Sequence, residues 1–112
     1  MNKNIYPCLW FDGNAPEAAR FYCSVFNNTK ITAENPLVTM LELSGQKLML
    51  LNGGPHFTIN PSISFFVVCE TEEEIDITWK GLLDGGSVMM ELDKYPWSTK
   101  YGWIKDKYGV NW

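Results

Sequence analysis

Two helix-start signals 57 residues apart are each followed by the same apolar spacing, and this repeat limits the folds open to the chain. Asn14 is an N-cap residue type with Glu17 three positions on, and Thr71 has Glu74 in the same place. Tyr22 and Phe26 lie 8 and 12 residues after Asn14, as Trp79 and Leu83 do after Thr71. Ala18, Phe21 and Val25 extend the first stripe, and Ile75 and Leu82 extend the second, each at helical spacing. Pro16 falls in the first turn, where its missing N–H costs nothing. Asn27-Asn28 and Gly85-Gly86 are the stops.

Strand signals surround both helices. Residues 5–11 form an apolar run that ends at Asp12-Gly13. A short strand is expected over 30–33, then a break at Asn35-Pro36. A hairpin over 37–43 and 47–51 turns at Ser44-Gly45-Gln46. The second half opens with an apolar strand over 62–69. A strand over 87–92 follows its helix, and a hairpin joins 101–105 to 110–112. Identity between the halves is poor, so the repeat is structural. A solenoid needs at least three units, and a mixed period near 57 does not suit one. The expectation is an α+β fold of two βαβββ modules in one domain, with residues 1–52 the first, 53–60 a linker and 61–112 the second.

Composition narrows the function. Five Trp, five Tyr and six Phe in 112 residues need a large core, an apolar pocket or an interface. The net charge is −4 and Arg20 is the only arginine, which argues against a nucleic-acid partner. Cys8, Cys23 and Cys69 are an odd number without a Cys-x-x-Cys pair, as expected of a reducing cytoplasm. The N-terminus has no apolar signal core and no run is long enough to span a bilayer, so a soluble cytoplasmic protein without membrane partners is expected.

Leu9-Trp10-Phe11-Asp12-Gly13-Asn14-Ala15, Glu17-Ala18 and Phe21-Tyr22 resemble the opening motif of the PhnB-like family. Asn52-Gly53-Gly54-Pro55, Ser64-Phe65 and Gly85-Gly86 continue the likeness in order and spacing. So do Gly102-Trp103-Ile104-Lys105-Asp106, Gly109 and Trp112. That family lies in the glyoxalase, bleomycin-resistance and extradiol-dioxygenase superfamily, also called vicinal oxygen chelate. The resemblance implies paired βαβββ modules, each a half-open cup, usually in dimers. Many members hold a divalent metal at the cup floor, and others only bind an antibiotic. Members commonly continue beyond the Gly-x-x-Trp segment, so either the second module is truncated at Trp112 or its tail lies outside this sequence.

The resemblance implies metal ligands on the first strand of each module, seven residues before the cap. Those positions are Pro7 and Ser64. Proline cannot ligate and serine is a poor ligand for Zn, Ni, Mn or Fe. The other ligand is a carboxylate on the last strand of each module: Lys47-Leu48-Met49-Leu50-Leu51 has none, and the second position falls past Trp112, so at least three of four are missing. No metal and no cofactor are therefore expected. His56, the only histidine, sits in a turn. Cys8 and Cys69 read as small buried hydrophobes, and Glu72, Glu73 and Glu74 as a solvated first helical turn. A methyltransferase label is sometimes attached to the family, but the chain contains no Gly-x-Gly to admit a methyl donor.

What remains is an apolar concavity. With regular alternation Leu9, Phe11, Ser64, Phe66 and Val68 line the cups, while Cys8, Trp10, Phe65 and Val67 face the helices. A bulge near Asp12-Gly13 would swap the sets in the first strand. Met49 or Leu50 and Trp103 add to the lining. The candidate ligand-binding residues are Leu9, Phe11, Met49, Ser64, Phe66 and Trp103, with no catalytic residue assigned. The leading expectation is a metal-free protein that binds a small apolar or aromatic molecule and pairs with itself as a homodimer. An enzyme with a non-standard metal or cofactor site, and a dimeric structural module without ligand, are the alternatives.

Overall fold

The β3–β4 hairpin is the best-specified local element. Val38–Leu43 (β3) and Gln46–Asn52 (β4) are joined through Ser44 and Gly45, at φ 50° and 90°. Two successive positive φ values make the two-residue turn whose twist matches that of the flanking strands. A computed structural model describes residues 5–112. The other elements are β1 (Cys8–Phe11), α1 (Ala15–Val25), β2 (Thr29–Glu34), α2 (Glu72–Leu83), β5 (Ser87–Tyr95) and β6 (Ser98–Lys105). They form two units, one ending at Ile59 and one spanning Asn60–Trp112. The fold class is α+β.

In the first unit the strand order is β1-β4-β3-β2, with β1 parallel to β4 and the other pairs antiparallel. Leu41 pairs with Leu48, and Leu50 pairs with both Thr39 and Leu9, so these side chains share one face. Leu41, Leu48, Leu50, Thr39 and Phe11 are buried, as are Ala15, Ala18, Ala19 and Tyr22 of α1. That burial identifies the face on which α1 lies. Three alanines let the helix backbone approach closely, and Tyr22 provides the bulk. Phe26 is buried beside them, whereas Phe21 and Val25 are only half-buried.

Two expectations for this unit are corrected. Register places Leu9 and Phe11 on the helix-covered face, and Cys8, Trp10 and Met49 on the opposite one. The first strand is therefore swapped relative to regular cup lining, and Cys8 is exposed instead of buried. Asn14, moreover, makes no side-chain cap. The Ala15 N–H donates to Asn52 Oδ1 at 2.9 Å, and Asn52 Nδ2 donates to the Pro36 carbonyl at 3.2 Å. One carboxamide from the end of β4 thus caps α1 across 37 residues of chain.

The second unit is built on a β5–β6 hairpin that runs further than residues 87–92. Its strands reach Tyr95 and restart at Ser98, with three register shifts along the ladder. Polar Asp93 and Lys94 ended the sequence pattern early, although an exposed antiparallel strand accepts them. Thr71 caps α2 by accepting from the Glu74 N–H at 3.1 Å, and Glu74 Oε1 accepts from the Glu70 N–H at 3.1 Å. Leu82 is buried, while Ile75, Trp79 and Leu83 are half-buried.

The expected strand over 62–69 is not a ladder strand. The segment is extended, and among the described residues its one backbone–backbone bond runs from the Phe65 N–H to the Asn111 carbonyl, at 2.9 Å. The physical reason lies in its neighbour. In the first unit β1 pairs over four rungs with β4, whereas here the matching position is held by residues 110–112, with a single bridge between Lys105 and Asn111. Ile104 and Trp112 exchange both backbone bonds, at 3.0 and 2.9 Å.

Buried Asp106 holds this last turn together. Its Oδ1 accepts from the N–H groups of Tyr108 and Val110 at 2.8 and 3.0 Å, and its Oδ2 accepts from Trp112 Nε1 at 2.8 Å. Asp106→Asn keeps the shape but turns an amide donor toward at least one N–H, and should destabilise the protein by about 1–3 kcal/mol. Asn52→Ala removes a cap and should cost about 1–2 kcal/mol. Urea unfolding followed by far-ultraviolet circular dichroism measures both. A loss below about 0.3 kcal/mol in either variant would contradict the assigned role.

Candidate functional site

The two faces of β6 differ in what they meet. Lys100, Gly102 and Ile104 point toward α2, since Lys100 Nζ lies 2.7 Å from Asp76 Oδ1 and 3.6 Å from Glu72 Oε1. The hydrogen bond to Asp76 is the main cause holding the Lys100 ammonium pKa above its ordinary value; burial works against it, and Glu72 adds to the rise. Gly102 lies directly beneath the Trp79 ring, where any β-carbon would collide with the indole, so only glycine fits. Ile104 is buried.

Alternation then turns Tyr101 and Trp103 to the other face. Phe66 approaches Tyr101 with ring centroids 6.2 Å apart. Tyr95 stacks on Trp97 at 5.0 Å, and both meet the Tyr101 ring edge-on, at 5.7 and 5.5 Å. Trp103 Nε1 donates to Asn111 Oδ1 at 3.0 Å, which fixes the indole. Phe65 points inward against Trp112 at 5.0 Å. The outcome is an aromatic wall with Phe66 74% and Trp97 59% exposed.

Between residues 64–69 and β6 lies a cavity of about 290 Å³. Phe66, Tyr101 and Trp103 line it from one face, and Ile75, Trp79 and Leu82 from the other. Side chains from both faces of β6 contribute to it. Ser64, Phe66 and Trp103 of the sequence-derived set come together here. Leu9, Phe11 and Met49 belong to the first unit and are not part of this lining, with Leu9 and Phe11 under α1. Tyr95, Trp97, Lys100 and Tyr101 were missed. The signal for the aromatics was their spacing about Pro96, which marks a hairpin turn with rings on one face.

The polar groups offer little chemistry. Cys69 also lines the cavity. Burial pushes its thiol pKa up, a hydrogen bond and the charge of Glu74 push it further, and Thr78 opposes them. A thiol so placed is a weak nucleophile near neutrality. His56 is exposed in its turn. Among the described residues no three His, Cys, Asp or Glu side chains converge as a metal-ligand group.

A family model described as 3-demethylubiquinone-9 3-methyltransferase matches residues 3–112. The PhnB protein from Bacillus cereus is 37% identical, superposes with a TM-score of 0.90, and is matched over 98% of this chain and 96% of its own. Protein PA1353 from Pseudomonas aeruginosa, at 24% identity, shares the fold with a TM-score of 0.83 over 99% and 95% of the two chains. A glyoxalase-related enzyme from Fulvimarina pelagi does so at 18% identity and 0.73, over 99% and 86%. No curated protein matches.

The methyl donor implied by the family description can be tested against the residues present. A methyl-donor site of the usual kind has an open glycine-rich turn between strand and helix. Here Asn52 occupies the first N–H of α1, and Thr71 and Glu74 close the start of α2. These residues do not fit the donor. The match along nearly the whole chain and the B. cereus likeness place this PhnB-like chain in the 3-demethylubiquinone-9 3-methyltransferase family, with a fold it shares with the glyoxalase-related enzyme.

Proposed function

We propose that the protein binds a small, planar, apolar or aromatic molecule on the aromatic wall of the second unit, without a metal. The observation that carries this reading is the exposure of Phe66 and Trp97 beside Tyr101 and an open cavity. Clustered, solvent-facing rings are costly to leave uncovered, and each offset or edge-on pairing with a ligand ring adds about 0.5–1.5 kcal/mol. Trp103 Nε1 and the Ser64 hydroxyl are the polar groups nearest to orienting a ligand, although Asn111 already accepts from the indole. Ligand chemistry argues for metal independence, since Pro7, Ser64 and Met49-Leu50 offer no imidazole, carboxylate or thiolate.

A library of planar aromatic compounds should yield binders that shift tryptophan fluorescence and raise the melting temperature. Phe66→Ala and Tyr101→Ala should each weaken such a binder about tenfold or more, near 1.4 kcal/mol. Mn, Ni, Zn and Fe salts should leave the melting temperature unchanged. A binder insensitive to both substitutions, or marked stabilisation by one of these metals, would count against the reading.

The protein is further proposed to be a cytoplasmic homodimer, its interface drawing on exposed apolar edges such as Ile63 and Val68. An obligate interface of this kind buries about 2,000 Å² or more in total. Light scattering should give a mass near twice 12.8 kDa at low micromolar concentration. A monodisperse monomer there would refute it.

A further inference from the structure

Three of the chain's sulfur-bearing side chains meet on a single rung of the first sheet, although they come from distant points in the sequence. Cys8 of β1 pairs with Met49 of β4, and Met49 pairs with Met40 of β3. Paired residues point to the same face of a sheet, so the three stand in a row across adjacent strands. That face is the one α1 leaves open. Leu48 and Leu50 alternate with Met49, and Thr39 and Leu41 alternate with Met40; all four are buried beneath the helix. Cys8 is exposed, and Met40 and Met49 are half-buried.

The neighbouring rungs carry no sulfur. Trp10, Leu51 and Val38 form one of them, and Lys47 stands opposite Glu42 in the other. Trp10 does not cover the row. Its Nε1 donates to the Gly54 carbonyl at 2.7 Å and its ring lies against Gly53, so the indole leans along β4 away from Met49. Opposite β-carbons in a sheet are about 5 Å apart, which puts Met49 within that reach of both Cys8 and Met40. Thioethers on unbranched, rotatable stems then swing toward a common point.

Donor type decides what such a row would hold. A thiolate and two thioethers are soft ligands, and soft ligands select Cu(I). Zn(II) is bound by thiolate, imidazole and carboxylate, and Mg, Ca and Mn by oxygen. The rung, which Ala33 of β2 completes, holds no imidazole and no carboxylate. The divalent pattern implied by the resemblance thus stays absent, and a thioether at Met49 is a ligand of another class.

We propose that Cys8, Met49 and Met40 form a binding site for a soft monovalent cation, Cu(I), with Ag(I) as its redox-inert analogue. The ion bonds to the Cys8 sulfur as the thiol proton leaves to solvent, and Met49 and Met40 each donate a thioether lone pair. No electron is transferred. Burial holds the Cys8 thiol above its ordinary pKa, so the ion displaces a proton when it binds. The site lies wholly within the first unit and is independent of the small-ligand reading, which concerns the second.

The test uses the full chain carrying Cys23→Ser and Cys69→Ser, which leaves Cys8 as the one thiol. Methionine methyl groups labelled with carbon-13 are followed by NMR while silver nitrate is added in chloride-free buffer. The Met40 and Met49 signals should shift and saturate at one equivalent, while Met89 and Met90 stay in place. Cys8→Ser should remove both shifts. Met49→Leu and Met40→Leu, close in volume to the native residues, should each weaken Ag(I) binding about tenfold or more in competition titrations. Cu(I) added without oxygen should move the same two signals. Silver bound with both methionine signals unmoved would mean an ordinary surface thiol and would overturn the proposal. So would unchanged affinity in both leucine variants. Equal shifts with Zn(II) would remove the selection for soft ions and overturn it as well.

Discussion

Backbone hydrogen bonding of the last strand of a βαβββ module to both the first and the third, between which it lies, is the constraint on which the sheet depends. Where a strand fills that gap, as β4 does, four strands form one sheet and a single apolar face is sealed beneath the helix. Where the gap holds only residues 110–112, the first segment keeps an extended shape but hangs from one backbone bond. Among the described residues Ile63, Phe66, Val67 and Val68 are exposed, and the cavity lies beside this segment. The candidate site lies between this segment and β6.

Two buried or half-buried amide-and-carboxylate anchors do the local positioning. Asn52 ties the end of β4 to the start of α1 and to Pro36, so sheet and helix are locked at one corner. Asp106 gathers two backbone N–H groups and the Trp112 indole. That arrangement aims Trp112 at Phe65 and keeps residues 110–112 against β6. Both residues sit in turn-rich sequence, where Asn and Asp ordinarily serve only their own loop. Their wider role depends on partners brought close by folding.

Much of the fold was legible. Cap-to-stripe spacing located both helices, and Ser44-Gly45 located the β3–β4 turn, because these signals act within a few residues. The site was legible in part. Ser64, Phe66 and Trp103 do meet at one cavity, since period-two alternation carried the reading across residues 64–69 and β6. Leu9 and Phe11 failed because strand period gives two faces without saying which one the helix covers. Tyr101 and Lys100 were missed because their partners, Phe66 on one side and Asp76 with Glu72 on the other, arrive from distant segments.

The sequence by itself determined the helices, the hairpin turn, the aromatic load and the absence of a metal-ligand pattern at Pro7, Ser64 and Met49-Leu50. Each of these is a property of residue type and short-range spacing. Tertiary structure alone decided that Asn52 caps α1 in place of Asn14, and that Trp79 rests on Gly102. It also decided that Phe66 meets Tyr101. Those outcomes rest on steric fit and hydrogen-bond satisfaction between segments far apart in the chain, which short-range pattern does not encode.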